Sequence, residues 1–272
     1  MKDSIKRFLV FTLILSIVLT LSACGGKNEE QPEEEDLLAR IKERGTITIA
    51  TEGNWVPWTY HDENDELVGY DVELGKLIAE QLGVTADFQE TDWDSILAGV
   101  DSGRFDIACN GVGYTEERAE KYSFSTPYAY TTSVLVVRED NTDIKELEDL
   151  KGRTTANSPS STYAMRAEEQ GATVTYVSTL NETITLLEQG RVDATINSQG
   201  SIQDYLNEHP DAKVKIVKLL AGETVVIPVR KAEDTESLVA AINAALETLR
   251  ENGKLSELSV KYFGGDVTKS SN

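Results

Sequence analysis

Four aromatic residues, one glutamate and one arginine form a set that could hold a small polar molecule. Trp55, Trp58 and Trp93 are all the tryptophans of the chain, and each falls just after a predicted strand, as does Tyr114. Flat aromatic walls cover the apolar parts of a ligand at small entropic cost and can face a cation, while a few polar groups fix orientation. Glu52 shares the first of these segments with Trp55 and Trp58. Arg118 follows Tyr114-Thr115-Glu116-Glu117. A guanidinium there can grip a carboxylate through two parallel charge-assisted hydrogen bonds; its plainer use is a surface ion pair with a neighbouring glutamate. Ser158-Pro159-Ser160-Ser161-Thr162 precedes a helical run from about Tyr163, so its amides would point at an anion, although helix capping alone explains the cluster equally well. A carboxylate-bearing ligand held by Arg118 on one side and the 160–162 amides on the other would use both features.

Other chemistry finds little support. His61 lies in a polar, turn-like stretch and His209 precedes Pro210, so neither has a nucleophile partner at a recognisable spacing, and two histidines do not make a metal site. Gly111-Val112-Gly113 lacks the third glycine of a dinucleotide fingerprint and follows the third strand of its unit, which argues against a nucleotide cofactor. With 26 basic against 47 acidic residues among 272, a net charge of -21 repels phosphate backbones and excludes nucleic acid as a partner. Two cysteines rule out a disulfide scaffold, and Cys109, inside an apolar run, reads as a small core residue.

The elements that must position these groups are α/β. Thr46 to Ala50 alternates as a strand, and Asp71 to Leu82 places Leu74, Leu77, Ile78 and Leu82 on one helical face before a stop at Gly83. A strand from Thr85 to Gln89, a helix from about Asp92 to Asp101 and a strand from Arg104 to Cys109 complete a βαβαβ unit. Further on, a helix from Leu180 to Gln189 with Ile184 and Leu187 inward leads through Gly190 to a strand, Arg191 to Ile196. Gly103-Arg104-Phe105-Asp106-Ile107-Ala108-Cys109-Asn110 aligns with Gly190-Arg191-Val192-Asp193-Ala194-Thr195-Ile196-Asn197, a weak internal repeat that predicts two lobes with one sheet each. Ligands of open sheets sit at the carboxyl ends of strands, which singles out Thr51 to Trp58, Thr91 to Trp93, Asn110 to Arg118, Asn157 to Tyr163 and Asn197 to Gln199.

The N-terminus is an export signal. Lys2, Lys6 and Arg7 precede the mostly apolar run Phe8 to Leu21, too short for a comfortable membrane span, and Leu21-Ser22-Ala23-Cys24-Gly25 resembles a bacterial lipobox, in which the cysteine is lipidated and becomes the first residue. Residues 24–36 carry carboxylates and no side chains for a core, which predicts an acidic tether dispensable for folding.

From Thr46 to about Phe263 the chain resembles the extracytoplasmic solute-binding proteins of polar amino acid ABC importers, especially cystine-type members. The resemblance rests on Gly69-Tyr70-Asp71-Val72-Glu73-Leu74, Thr91-Asp92-Trp93-Asp94, Gly103 to Asp106, Thr115 to Arg118, Phe124 to Tyr128, Leu147 to Gly152 and Lys261 to Gly264. It implies a type II periplasmic-binding-protein-like fold: two α/β lobes, residues 37–131 plus 229–266 and 132–228, with a tail at 267–272. Two hinge crossings, near Thr131 to Arg138 and Val225 to Arg230, would let the lobes trap a ligand. It further implies a lipid-anchored, extracytoplasmic monomer that delivers its ligand to permease subunits, without cofactor or metal. Arg118 resembles the family's α-carboxylate clamp, Ser161 and Thr162 its second-lobe carboxylate contacts, and Trp55 and Trp93 its aromatic walls. Asn110, Gly111 and Gly113 would offer backbone or amide groups.

One departure bears on the ligand. Where the family places an aspartate against the ligand's ammonium, this chain has Ser198, which brings no charge. Either the ligand is modified or more cationic and is met by Glu52 and the tryptophan faces, or the neutral amide of Gln199 or an acid elsewhere in the pocket substitutes. Two other functions share the fold: a cyclohexadienyl-dehydratase-like enzyme, for which Glu52 and Glu223 are the candidate acids, and a ligand-sensing receptor subunit.

Overall fold

The computed structural model describes residues 36–270. The expected signal peptide of residues 1–23, Cys24 and all of the expected tether except Asp36 lie outside the described residues. Asp36 is not tether: its carboxylate accepts from the Ala39 amide at 2.9 Å and caps α1 (Leu37–Arg44), whose Leu37 and Ile41 enter the core.

The first lobe holds β1 (Thr46–Thr51), β5 (Thr85–Glu90), β6 (Ile107–Ala108), β7 (Tyr122–Phe124) and β13 (Pro228–Arg230) in the order β5-β1-β6-β13-β7. A small antiparallel sheet of β2 (Asn54–Trp55), β3 (Thr59–His61) and β4 (Leu67–Val68) stands at its carboxyl end. The helices α2 (Tyr70–Leu82), α3 (Trp93–Asp101) and α4 (Glu116–Lys121) follow strands of this lobe, and α8 (Glu236–Glu251) and α9 (Lys254–Phe263) return to it from the far end of the chain. Ile47, Ile49, Leu74, Ile78 and Ile107 meet Leu238, Ile242 and Leu246 in one buried cluster, so both ends of the sequence build one core.

The second lobe holds β8 (Ala129–Arg138), β9 (Thr154–Asn157), β10 (Thr173–Tyr176), β11 (Ala194–Ser198) and β12 (Val214–Val225) in the order β10-β9-β11-β8-β12. It is flanked by α5 (Thr162–Glu169), α6 (Leu180–Glu188) and α7 (Gln199–Glu208). Val134, Leu135, Val136 and Val137 are all fully buried, and alternate residues join clusters on opposite faces, as expected of an interior strand covered on both sides.

The repeat seen in the sequence has an atomic counterpart. The Asp106 carboxylate accepts from the Thr48 amide at 2.7 Å while its own amide donates to the Thr48 carbonyl; Asp193 does the same with Thr154, at 2.8 Å each way. Both strands are shorter at their starts than predicted. Phe105 and Asp106 turn inward, where Phe105 packs on Gly99, at which a Cβ would lie 2.2 Å from the ring. Arg191 to Asp193 likewise precede β11 outside the ladder.

The first crossing is displaced from its expected place. Thr131 to Arg138 lie wholly within β8, and the chain passes between sheets at Ser125–Tyr128 and again at Val226–Ile227. The two passages are tied together: the Tyr128 amide donates to the Val225 carbonyl at 3.1 Å, the Ser125 amide to the Ile227 carbonyl at 3.0 Å, and the Ile227 amide to Ser125 Oγ at 2.9 Å. The tail is also shorter than expected. Val267 packs on the first core, its carbonyl accepting from the Tyr130 amide at 2.7 Å, and Thr268 is buried.

Candidate functional site

A cleft of about 620 Å³, mouth included, opens between the carboxyl ends of the two sheets. The first lobe contributes Glu52 from the loop after β1, Asn54 and Trp55 from β2, Trp93 from the start of α3, and Gly111, Gly113 and Arg118 from the segment after β6.

Arg118 is buried and makes no ion pair among the described residues, which removes the surface-pair reading. Thr115 caps α4 through a bond from the Arg118 amide, turning the side chain inward over the Trp93 ring at 5.4 Å. Its Nη1 donates to the Gly113 carbonyl at 2.6 Å and its Nη2 crosses the cleft to the Ser160 carbonyl at 2.9 Å. Burial lowers the guanidinium's proton affinity, opposed by Glu223 and Glu117. An unpaired buried cation of this kind is disposed to take an anion.

Across the cleft, Ser161 caps α5: its Oγ accepts from the Ala164 amide at 3.1 Å and donates to the Ser158 carbonyl at 2.7 Å. The first-turn amides of Thr162 and Tyr163 have no acceptor within their helix and are left for an anion. Thr162 approaches Gly113 so closely that a Cβ there would lie 3.2 Å from its methyl group and 3.3 Å from a Glu223 oxygen.

Two acids face the same space. Glu52 is half-buried and accepts from Asn110 Nδ2 at 2.7 Å; burial, reinforced by Asp92 and Asp94 and opposed by Asn110, pushes its carboxyl up to about 7. Glu223 is buried beside Ser133 at 3.4 Å and Arg166 at 3.8 Å, and burial raises it as well, against Arg166, Thr162 and Arg118.

Three expected site residues lie behind the wall. Trp58 is 1% exposed and packs between the ring of Trp55, 5.5 Å away, and those of Tyr70 and Phe263. Asn110 is buried, its Oδ1 accepting from the Glu52 amide at 2.8 Å and from the Thr51 and Thr59 hydroxyls, so it shapes the loop that carries Glu52. Ser198 is 1% exposed at the start of α7, and its neighbour Asn197 takes the wall position, receiving the Ser198 amide on Oδ1 at 2.8 Å.

The cleft also has a wall that sequence reading missed: Ser178, Thr179, Leu180 and Thr183 at the start of α6. Thr179 and Glu182 form a reciprocal capping box there. That Thr-x-x-Glu pattern is the signal the sequence offers for this wall. Asn157 and Asn197 lie in the strand-end segments already singled out.

With that geometry in place, comparisons with known proteins are consistent. The L-cystine-binding protein TcyA of Bacillus subtilis (strain 168) is 40% identical over 269 residues, covering 97% of this chain and 99% of the relative. An ancestral arginine-binding protein bound to arginine is 36% identical with a TM-score of 0.75, covering 81% of this chain and 99% of that one. The L-cystine solute receptor of Neisseria gonorrhoeae in its unliganded open conformation is 39% identical but has a TM-score of 0.57, covering 86% and 99%. The likeness is thus closer to the ligand-bound structure than to the open one despite the lower identity, in keeping with the contact of Arg118 across the cleft. Residues 47–265 match the model of the bacterial extracellular solute-binding proteins, family 3, and the chain belongs to that family.

Proposed function

We propose that this protein captures an amino acid of the cystine type between its lobes, is held at the outer face of the bacterial cell membrane by a lipid on Cys24, and delivers its ligand to an ABC importer. The observation that carries this reading is the pairing of the unneutralised Arg118 on one lobe with the α5 N-terminus on the other, both facing one cleft. An α-carboxylate fits that pair, and Trp55 and Trp93 supply walls for the remainder of the ligand. Ser198 brings no charge to the ammonium, and we assign that part to Glu52, whose Asn110-bound carboxylate lies on the same wall. A cation beside Glu52 would hold it ionised, so binding near pH 6.5 should release protons.

The test is titration of refolded, ligand-stripped protein with L-cystine, L-arginine, L-glutamine and N-methylated analogues, in two buffers of different ionisation enthalpy. Saturable binding of an α-amino acid with proton release supports the reading, and binding of none of them overturns it. Cys24→Ser should free the protein from membranes, which fractionation of cells would report.

A further inference from the structure

The motif Gly69-Tyr70-Asp71 is not used by the ligand site, yet it places a fully buried carboxylate, 0% exposed, at the centre of the first lobe. Asp71 makes no ion pair among the described residues, and its Oδ1 has no hydrogen-bond partner. Its Oδ2 accepts two bonds, from the Gly111 amide and, at 2.9 Å, from the Tyr128 hydroxyl. Burial pushes the carboxyl up to about 7, against those two donors. A buried acid with two donors and no cation is a poor way to gain stability, since an apolar side chain of similar volume would avoid the desolvation cost.

The two donors belong to the two parts that must move in concert. Gly111 lies in the cleft loop, at φ +57 and against Trp55. Tyr128 is the last residue of the first crossing, bonded through its amide to the Val225 carbonyl at the start of the second. The loop touches that second crossing directly as well: the Val226 amide donates to the Val112 carbonyl at 3.0 Å, and the Tyr114 amide to the Thr224 carbonyl at 2.8 Å. Asp71 is anchored in turn, its amide donating to the Trp58 carbonyl at 3.0 Å, an approach that leaves no room for a side chain at Gly69.

Resting on the reading of the cleft as the ligand site, we infer that Asp71 is a positioning residue that locks the cleft loop Asn110–Gly113 to the first hinge crossing and, through Tyr128, to the second, so that the loop's geometry and the hinge's state are set together. It touches no ligand. Its part is to keep the Gly113 carbonyl in reach of Arg118, and the Gly111 loop against Trp55, as the lobes close.

The experiment compares wild type, Asp71→Asn and Tyr128→Phe by residue-resolved hydrogen exchange without ligand and by L-cystine titration. Loss of one buried charge-assisted bond should speed exchange about tenfold at the amides of Gly111 and Tyr128 together, leave the distant Leu246 amide unchanged, and weaken L-cystine binding about tenfold. Faster exchange at Gly111 alone, or a lower melting temperature with unchanged exchange at both amides and unchanged affinity, would overturn the coupling. If Asp71→Asn fails to fold, Tyr128→Phe carries both readouts. Should wild type bind no L-cystine, the cystine part of the functional reading falls while the ligand-free exchange still decides the coupling.

Discussion

Replacing Arg118 separates ligand recognition from folding, because the residue is buried without an acidic partner. Arg118→Lys keeps the charge and loses the fork, removing at least one charge-assisted bond to a ligand carboxylate, about 1.5 to 3 kcal/mol. At about 1.4 kcal/mol per decade, Kd should rise roughly 10- to 100-fold. Arg118→Met also abandons the Gly113 and Ser160 carbonyls, the latter on the opposite lobe. Loss of a buried charged partner costs about 2 to 5 kcal/mol of affinity, so binding should weaken by two orders of magnitude or more. Ligand-free stability should behave oppositely: removing an unpaired buried cation relieves its desolvation, and the melting temperature should hold or rise. Calorimetric titration with L-cystine and thermal unfolding without it give the two numbers. An affinity within threefold of wild type, or a loss of stability that accounts for the lost binding, would refute the assignment.

Three further outcomes follow from the same geometry. Glu52 titrates at about 7 in the folded chain against an ordinary value of 4.5, so the native state holds the extra proton and stability falls as pH rises from 4.5 to 7. The contribution is at most about 3 kcal/mol, and Glu52→Gln should flatten that part of a melting-temperature profile taken from pH 5 to 8; an unchanged profile would contradict it. Gly113→Val should leave ligand-free melting nearly unchanged and block closure against Thr162 and Glu223, seen as a failure of the radius of gyration to contract with ligand. A fragment starting at Asp36 should melt as the longer chain does, whereas starting at Leu37 removes the α1 cap and costs about 1 kcal/mol by denaturant titration.

Much of this was legible because it is local. The β1 alternation, the face of α2, the stop at Gly83 and the repeat around Asp106 and Asp193 are patterns within a dozen residues, and all have counterparts in the fold. What the sequence obscured depends on partners far away. Trp58 stands three residues from Trp55 in the same strand-end segment, but Tyr70 and Phe263 cover it, and of the two only Trp55 reaches the cleft. Ser198 and Asn197 are adjacent in a buried strand end, and the start of α7 turns the first inward and leaves the second on the wall. Thr131 to Arg138 is the crossing that the resemblance implies, but its pairing with β11 and β12 makes it an interior strand of the second sheet, a partnership that no local pattern announces. From its sequence surroundings Glu223 reads only as a catalytic acid, because nothing near it announces Arg166 or Thr162 as neighbours.

The central claim is that the cleft closes on an α-carboxylate held between Arg118 and the start of α5. Its most direct test is paired titration of the refolded protein with L-cystine and with the same molecule esterified at both carboxyl groups. The account predicts saturable binding of the free acid, with about 2.7 kcal/mol of added stability at one hundred times its Kd, and loss of both on esterification. Equal binding of the ester, or binding of the acid undiminished in Arg118→Met, would contradict it.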